Sequence, residues 1–158
     1  MNQEAYSELC RNTCSILGIT DTDSLANQGY LSIDGIHIQL IFDETLSNDR
    51  ILCVCEIGTV KENLKEKIFE SLLMLNFLTG SKTSGVFAID PMSQCASFVV
   101  TLLNPDSLTA DRLADLLKCY ASRNLYLQKT LFFNGDLSFP IDVEKPDSDS
   151  IRHNLKLA

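Results

Sequence analysis

Nothing in the sequence approaches the roughly 20 consecutive apolar residues that a membrane-spanning helix needs. The longest apolar run, Leu72 to Leu78, is broken by Asn76. Met1 to Glu8 is polar and lacks a basic stretch followed by an apolar core, so no secretory leader is expected. No Asn-x-Ser/Thr acceptor occurs. Positive charge is scarce: 13 Lys and Arg stand against 21 Asp and Glu, a formal net charge of −8. That balance disfavours non-specific binding to nucleic acid and docking on an anionic membrane, because phosphates are repelled. Glycine (7) and proline (4) are too few and too scattered to form a linker, and no internal repeat is visible. What remains is a 158-residue chain with 45 % hydrophobic residues, enough for one globular domain. The expectation is a cytoplasmic protein whose domain spans residues 1–139, followed by a polar tail, 140–158. Removing Asp147 to Ala158 is expected to leave the fold intact, since that stretch lacks a docking period.

Helix-spaced Tyr6, Leu9, Cys10, Thr13, Ile16 and Leu17 predict an amphipathic helix over Asn2 to Leu17, stopped by Gly18. Thr20 to Gly29 reads as a polar linker. Tyr30–Ile33 and Ile36–Phe42 flank Asp34-Gly35, a two-residue turn that tolerates positive φ at both positions, and so predict a β-hairpin. A turn at Ser47-Asn48-Asp49 leads to a third strand, Arg50–Ile57. Its apolar residues point both ways, predicting a central strand covered on both faces. Val60 to Thr79, ended by Gly80, predicts the longest helix, with two adjoining apolar stripes: Leu64, Ile68, Leu72, Leu75 and Phe69, Leu73, Phe77. That arc is wider than a one-sided helix requires, which predicts burial on two sides or contact with a second subunit. Gly85–Ile89 and Cys95–Leu103 predict two more strands. Thr109 then caps a helix running to about Tyr126, with Leu108 and Leu113 at the positions of a hydrophobic staple. The order is α-β-β-β-α-β-β-α: an α+β fold with an antiparallel sheet of about five strands and three helices.

Residues that could carry chemistry are few. Neither Gly-x-Gly-x-x-Gly nor Gly-x-x-x-x-Gly-Lys-Ser/Thr is present. Of the two histidines, His153 lies in the tail and His37 on the polar side of a strand. A nucleophilic pair of His37 with Cys53 or Cys55 requires hydrogen-bond reach, but both cysteines share a face with Ile51 and Ile57. Cys10 and Cys14 lie on one helix face and Cys53 and Cys55 on one strand face, so a four-thiolate zinc site can be drawn. Neither spacing is that of a zinc knuckle, and reduced, buried cysteines without metal are the expectation. Asp111 and Asp115 read as a solvated helix face. No catalytic constellation emerges, and no enzyme or cofactor is expected.

Three segments carry a resemblance: Gly85-Val-Phe-Ala-Ile-Asp-Pro-Met-Ser-Gln94, Ala96-Ser-Phe-Val-Val-Thr-Leu102, and Leu108-Thr-Ala-Asp-Arg-Leu-Ala-Asp-Leu-Leu117. With the preceding Leu72-Leu-Met-Leu-Asn-Phe-Leu78, they resemble class I type III secretion chaperones, the CesT/Tir-chaperone family. The resemblance covers about Asn2 to Tyr126. It implies a bacterial cytoplasmic homodimer that holds the N-terminal region of a secreted effector in extended form, without metal or nucleotide. An interaction or regulatory module of the same fold, with a partner unrelated to secretion, is the alternative reading. Leu72, Leu75 and Phe77 are the expected dimer-interface residues. The expected effector-binding groove comprises Leu9 and Leu17 on the first helix with Leu31, Ile33, Ile36 and Ile38 on the hairpin, because an extended ligand needs a strand edge with apolar side chains beside it.

Overall fold

The computed structural model describes residues 1–79 and 85–133. The tail boundary, the truncation from Asp147, the Gly80 stop and His153 lie outside these residues. The described elements are α1 (Gln3–Leu17), α2 (Asp23–Gln28), β1 (Tyr30–Ile33), β2 (Ile36–Asp43), β3 (Ser47–Thr59), α3 (Lys65–Thr79), β4 (Gly85–Ile89), β5 (Cys95–Leu103) and α4 (Ala110–Gln128). The five strands form one antiparallel sheet in the order β1-β2-β3-β5-β4. This is the expected α+β fold.

Local chemistry sets most boundaries. Asn2 caps α1, its side chain accepting from Ala5 N at 2.8 Å, and Gly18 ends the helix at φ 71°. Thr109 caps α4 by accepting from Arg112 N. Asp34 and Gly35 take φ 52° and 81°, as a two-residue hairpin turn demands.

Four expectations need correction. The Thr20–Gly29 stretch contains the six-residue helix α2, which buries only Leu25 and Ala26, too short a period to show in the sequence. Ser47, Asn48 and Asp49 are already strand. The turn lies just before them, where Asp43 accepts from Thr45 N at 2.9 Å. The helix expected from Val60 begins only at Lys65, after a 3-10 turn at Glu62–Leu64, and α4, with 19 residues, is longer. Finally, β3 is central, but its second face is not covered. Ile51, Cys53, Cys55 and Ile57 are buried under the helices, whereas Leu52 and Val54 on the other face are only half-buried.

One face of the sheet therefore carries the core. Ile36, Ile38, Leu40, Ile51, Phe98 and Val100 are buried there beneath α1 and α4. Tyr6 ties α1 to β2 by donating to Leu40 O. A bulge between Glu56 and Gly58 sets Gly58 opposite Ala96, and the ring of Phe132 lies 3.6 Å from where a Cβ would stand. Asn124 and Gln128 of α4 donate to the Cys55 and Ile57 carbonyls, so the helix is stitched to β3 as well as packed on it. Arg123 lies with its guanidinium 3.6 Å from the Phe98 ring, a cation–π contact inside the apolar layer.

Candidate functional site

An antiparallel sheet has two edges, and the hydrogen-bond alternation along each edge strand decides which peptide groups face outward. Leu40 N donates to Gly29 O at 2.8 Å. Counting from that bond, Leu31 and Ile33 turn their peptide groups toward β2, while Tyr30 and Ser32 turn theirs off the sheet. Both residues are exposed. Beside them lies a cavity of about 350 Å³ lined by Leu17, Ile19, Ser32, Ile33, Asp34 and Lys118. An outward-facing strand edge next to an open hollow, apolar at Leu17, Ile19 and Ile33 and polar at Ser32, Asp34 and Lys118, is the arrangement that strand-adding partners use: backbone bonds supply affinity and the hollow takes alternate side chains.

Of the six groove residues expected from sequence, the structure brings only Leu17 and Ile33 to this hollow. The other four are core. Ile36 and Ile38 are 1 % and 0 % exposed, and Leu9 and Leu31 are also buried. The reason is the helical cover. Leu31 and Ile33 share a face, but Ile33 sits at the hairpin end, where α1 has already stopped. Ile19 and Lys118 belong to the same hollow and escaped the sequence reading, because they lie outside any periodic stripe.

A second apolar surface lies on α3. Ile68, Leu72 and Leu75 face the core, whereas Leu73, Met74 and Phe77 are exposed, Phe77 by 88 %. Leu72 and Leu75 are therefore inward-facing, not interface residues, and Phe77 alone of the expected trio points outward. Phe69, Leu72 and Leu73 also line a hollow of about 240 Å³ against Phe87, Ala88 and Ile89 of β4. The uncovered sheet face adds Ile41, Val86 and Leu103, all exposed.

The fold has a solved counterpart. A chain of the crystal structure of the ExsC-ExsE complex matches with a TM-score of 0.63 over 80 % of this chain and 93 % of that chain, at 14 % sequence identity. The likeness is one of fold. No protein-family model and no curated protein matches the sequence.

The chemistry-bearing residues are dispersed. His37 pairs with Ser32 on the uncovered face, while Cys53 and Cys55 face the helices, so the sheet separates His37 from both thiols. Cys10, Cys14, Cys53 and Cys55 are buried. Among the described residues no group of three or more His, Cys, Asp and Glu side chains could hold a metal ion. The sulfurs of Cys53 and Cys55 stand 3.7 Å apart. The hydrogen bond between them, with burial, pushes the Cys53 thiol far up, and burial pushes Cys10 up to about 11. Only Cys119 is exposed. With a thiol-specific disulfide reagent at mild alkaline pH, one cysteine per chain is expected to react promptly and the four core cysteines only on unfolding. Prompt labelling of Cys53 or Cys55, read by peptide mapping, would contradict this.

Among the described residues no helix is long and apolar enough to cross a membrane.

Proposed function

We propose that this protein is a type III secretion chaperone: a cytoplasmic, non-enzymatic binding protein that holds the N-terminal region of a secreted effector in extended form. The observation that carries the reading is the open β1 edge beside the Leu17–Ile19–Ile33 hollow, set in a fold that matches a chain of a protein–protein complex. An extended segment fits that site in one way. Its backbone pairs with Tyr30 and Ser32, and every second side chain drops toward Leu17 and Ile33. No cofactor takes part. The net charge of −8 opposes aggregation of the loaded chaperone. We further propose a homodimer built on the outward stripe of α3, because Leu73, Met74 and Phe77 form an exposed apolar strip and a two-fold contact uses one patch twice.

The test begins with the partner retained through native purification, identified by mass spectrometry, and with an N-terminal fragment of it made separately. Ile33→Asp is expected to keep the wild-type thermal midpoint within a few degrees and to weaken fragment binding by at least about 100-fold, since a carboxylate would have to be desolvated against the incoming apolar side chain. Ile33→Asp that binds as wild type would place the site elsewhere. A retained partner that is not an exported protein would favour the interaction module of the same fold. Phe77→Glu with Leu73→Glu is expected to yield monomers in light scattering, and a wild-type protein of about 17.6 kDa at micromolar concentration would refute the dimer.

A further inference from the structure

The two edges of the sheet are not equivalent, and one side chain makes the difference. β4 is the edge strand opposite β1. Asp90 N donates to Cys95 O at 2.9 Å, which fixes the alternation along β4. Ala88 and Val86 then turn their peptide groups toward β5, and Phe87, at the centre of the strand, turns its N–H and C=O off the sheet. Of the outward-facing groups of β4, which alternate through Gly85, Phe87 and Ile89, those at Phe87 are the central pair a sixth strand would have to use.

They are already taken. Phe87 N donates to Asn76 Oδ1 at 2.7 Å, and Asn76 Nδ2 donates to Phe87 O at 3.0 Å. A carboxamide presents one donor and one acceptor on adjacent atoms, as a peptide group does. Asn76, projecting from α3, thus stands where the neighbouring strand's backbone would be. No other uncharged side chain of this length supplies both halves of that pair. Leucine has the shape without the bonds, and aspartate can accept from the N–H but only repels the carbonyl. On β1 no described side chain plays this part.

We infer that Asn76 is an edge plug: it closes β4 to strand addition, keeps copies of the protein from pairing β4 to β4, and thereby directs an extended partner to the β1 edge. Unpaired edges are templates for adventitious pairing, and a protein that handles extended chains is the more exposed to it. The steering part rests on the proposed capture of an extended segment. The edge-closing part does not, and the two are tested separately.

For edge closure, no partner is needed. In the full-length protein, Asn76→Ala and the nearly isosteric Asn76→Leu are compared with wild type by amide hydrogen exchange and by sedimentation from low to high micromolar concentration. Both variants are expected to speed exchange at Phe87 by about 10- to 100-fold, the equivalent of a lost buried hydrogen bond. Both are also expected to form species larger than the wild-type particle that grow with concentration. Adding Ala88→Lys, a charge on the same edge strand, is expected to restore the wild-type size without restoring protection at Phe87. Variants that keep the wild-type particle size throughout, whatever their thermal midpoint, would overturn the inference, because Asn76 would then be a stabilising cap and nothing more. Loss of the fold in both variants would overturn it equally.

For steering, the probe is the N-terminal fragment of the retained partner. Ile33→Asp, which loses the fragment, is expected to regain binding at least in part when combined with Asn76→Ala, because β4 is then open. Continued loss of binding in a folded double variant with an exposed Phe87 amide would remove the steering role while leaving edge closure standing.

Discussion

Ile38→Asp is expected to abolish folding, whereas Ile33→Asp, five residues away on the same hairpin, is expected to spare it. Ile38 is 0 % exposed, in the middle of β2, between Leu31 of β1 and Cys55 of β3 and beneath the helical layer. Replacing it removes a buried aliphatic side chain, about 2–5 kcal/mol by analogy with large-to-small core changes. It also introduces a carboxyl group among apolar neighbours, which costs several kcal/mol more even when the group takes up a proton to avoid ionising. The sum is comparable to the whole stability of a domain this size, about 5–15 kcal/mol. Far-UV circular dichroism and a thermal scan decide the matter. A folded Ile38→Asp with a midpoint near wild type would mean that β2 is not the buried centre of this sheet.

Gly85→Ala is expected to destabilise the protein by about 2–4 kcal/mol, through overpacking rather than through loss of backbone freedom. A Cβ at Gly85 would stand 2.2 Å from the Phe98 ring and 2.7 Å from Val100 Cγ2. Phe98 cannot swing clear. It is 1 % exposed, with the Phe87 ring 5.0 Å and the Tyr120 ring 5.8 Å from it, centroid to centroid, and Arg123 lying over it. Either the ring leaves its place or β4 moves away from β5. The midpoint should fall by roughly 10 °C on the usual scaling for a domain of this length. Phe98→Leu is expected to recover part of the loss in the double variant, since the two sites share one space and their effects are not additive. Gly58→Ala serves as the contrast. Its Cβ would meet Phe132 at 3.6 Å, an ordinary contact, and the change should be nearly neutral. Equal effects at the two glycines would show that conformational entropy, not the Phe98 contact, sets the cost.

Features that depend on neighbours along the chain were legible from the residues alone. Alternation of Ile36, Ile38, Leu40 and Phe42 around Asp34-Gly35 dictated the hairpin, because a two-residue turn fixes register and a period of two fixes the face. The caps at Asn2, Gly18 and Thr109 fixed where helices begin and end. The helix α2, the late start of α3 and the turn before β3 escaped: a six-residue helix and a 3-10 turn carry too few apolar positions to show a period, and Ser47-Asn48-Asp49 has turn composition although it is already strand. Which members of each apolar set meet another element was settled by packing in three dimensions. Leu31 and Ile33 are equivalent in pattern, yet one is buried under the helices and the other is only partly covered, beside Leu17 and Lys118. The two stripes of α3 are both visible as a wide arc, yet only packing against the core assigns Leu72 and Leu75 inward and Phe77 outward. Asn76 shows the difference most sharply. Along the chain it merely interrupts an apolar run, while in space its amide meets the Phe87 peptide across 11 residues of sequence. Periodicity reports a residue's face, but its partner is set by which elements the fold brings together, and a side-chain amide becomes a strand mimic only once a strand edge lies beside it.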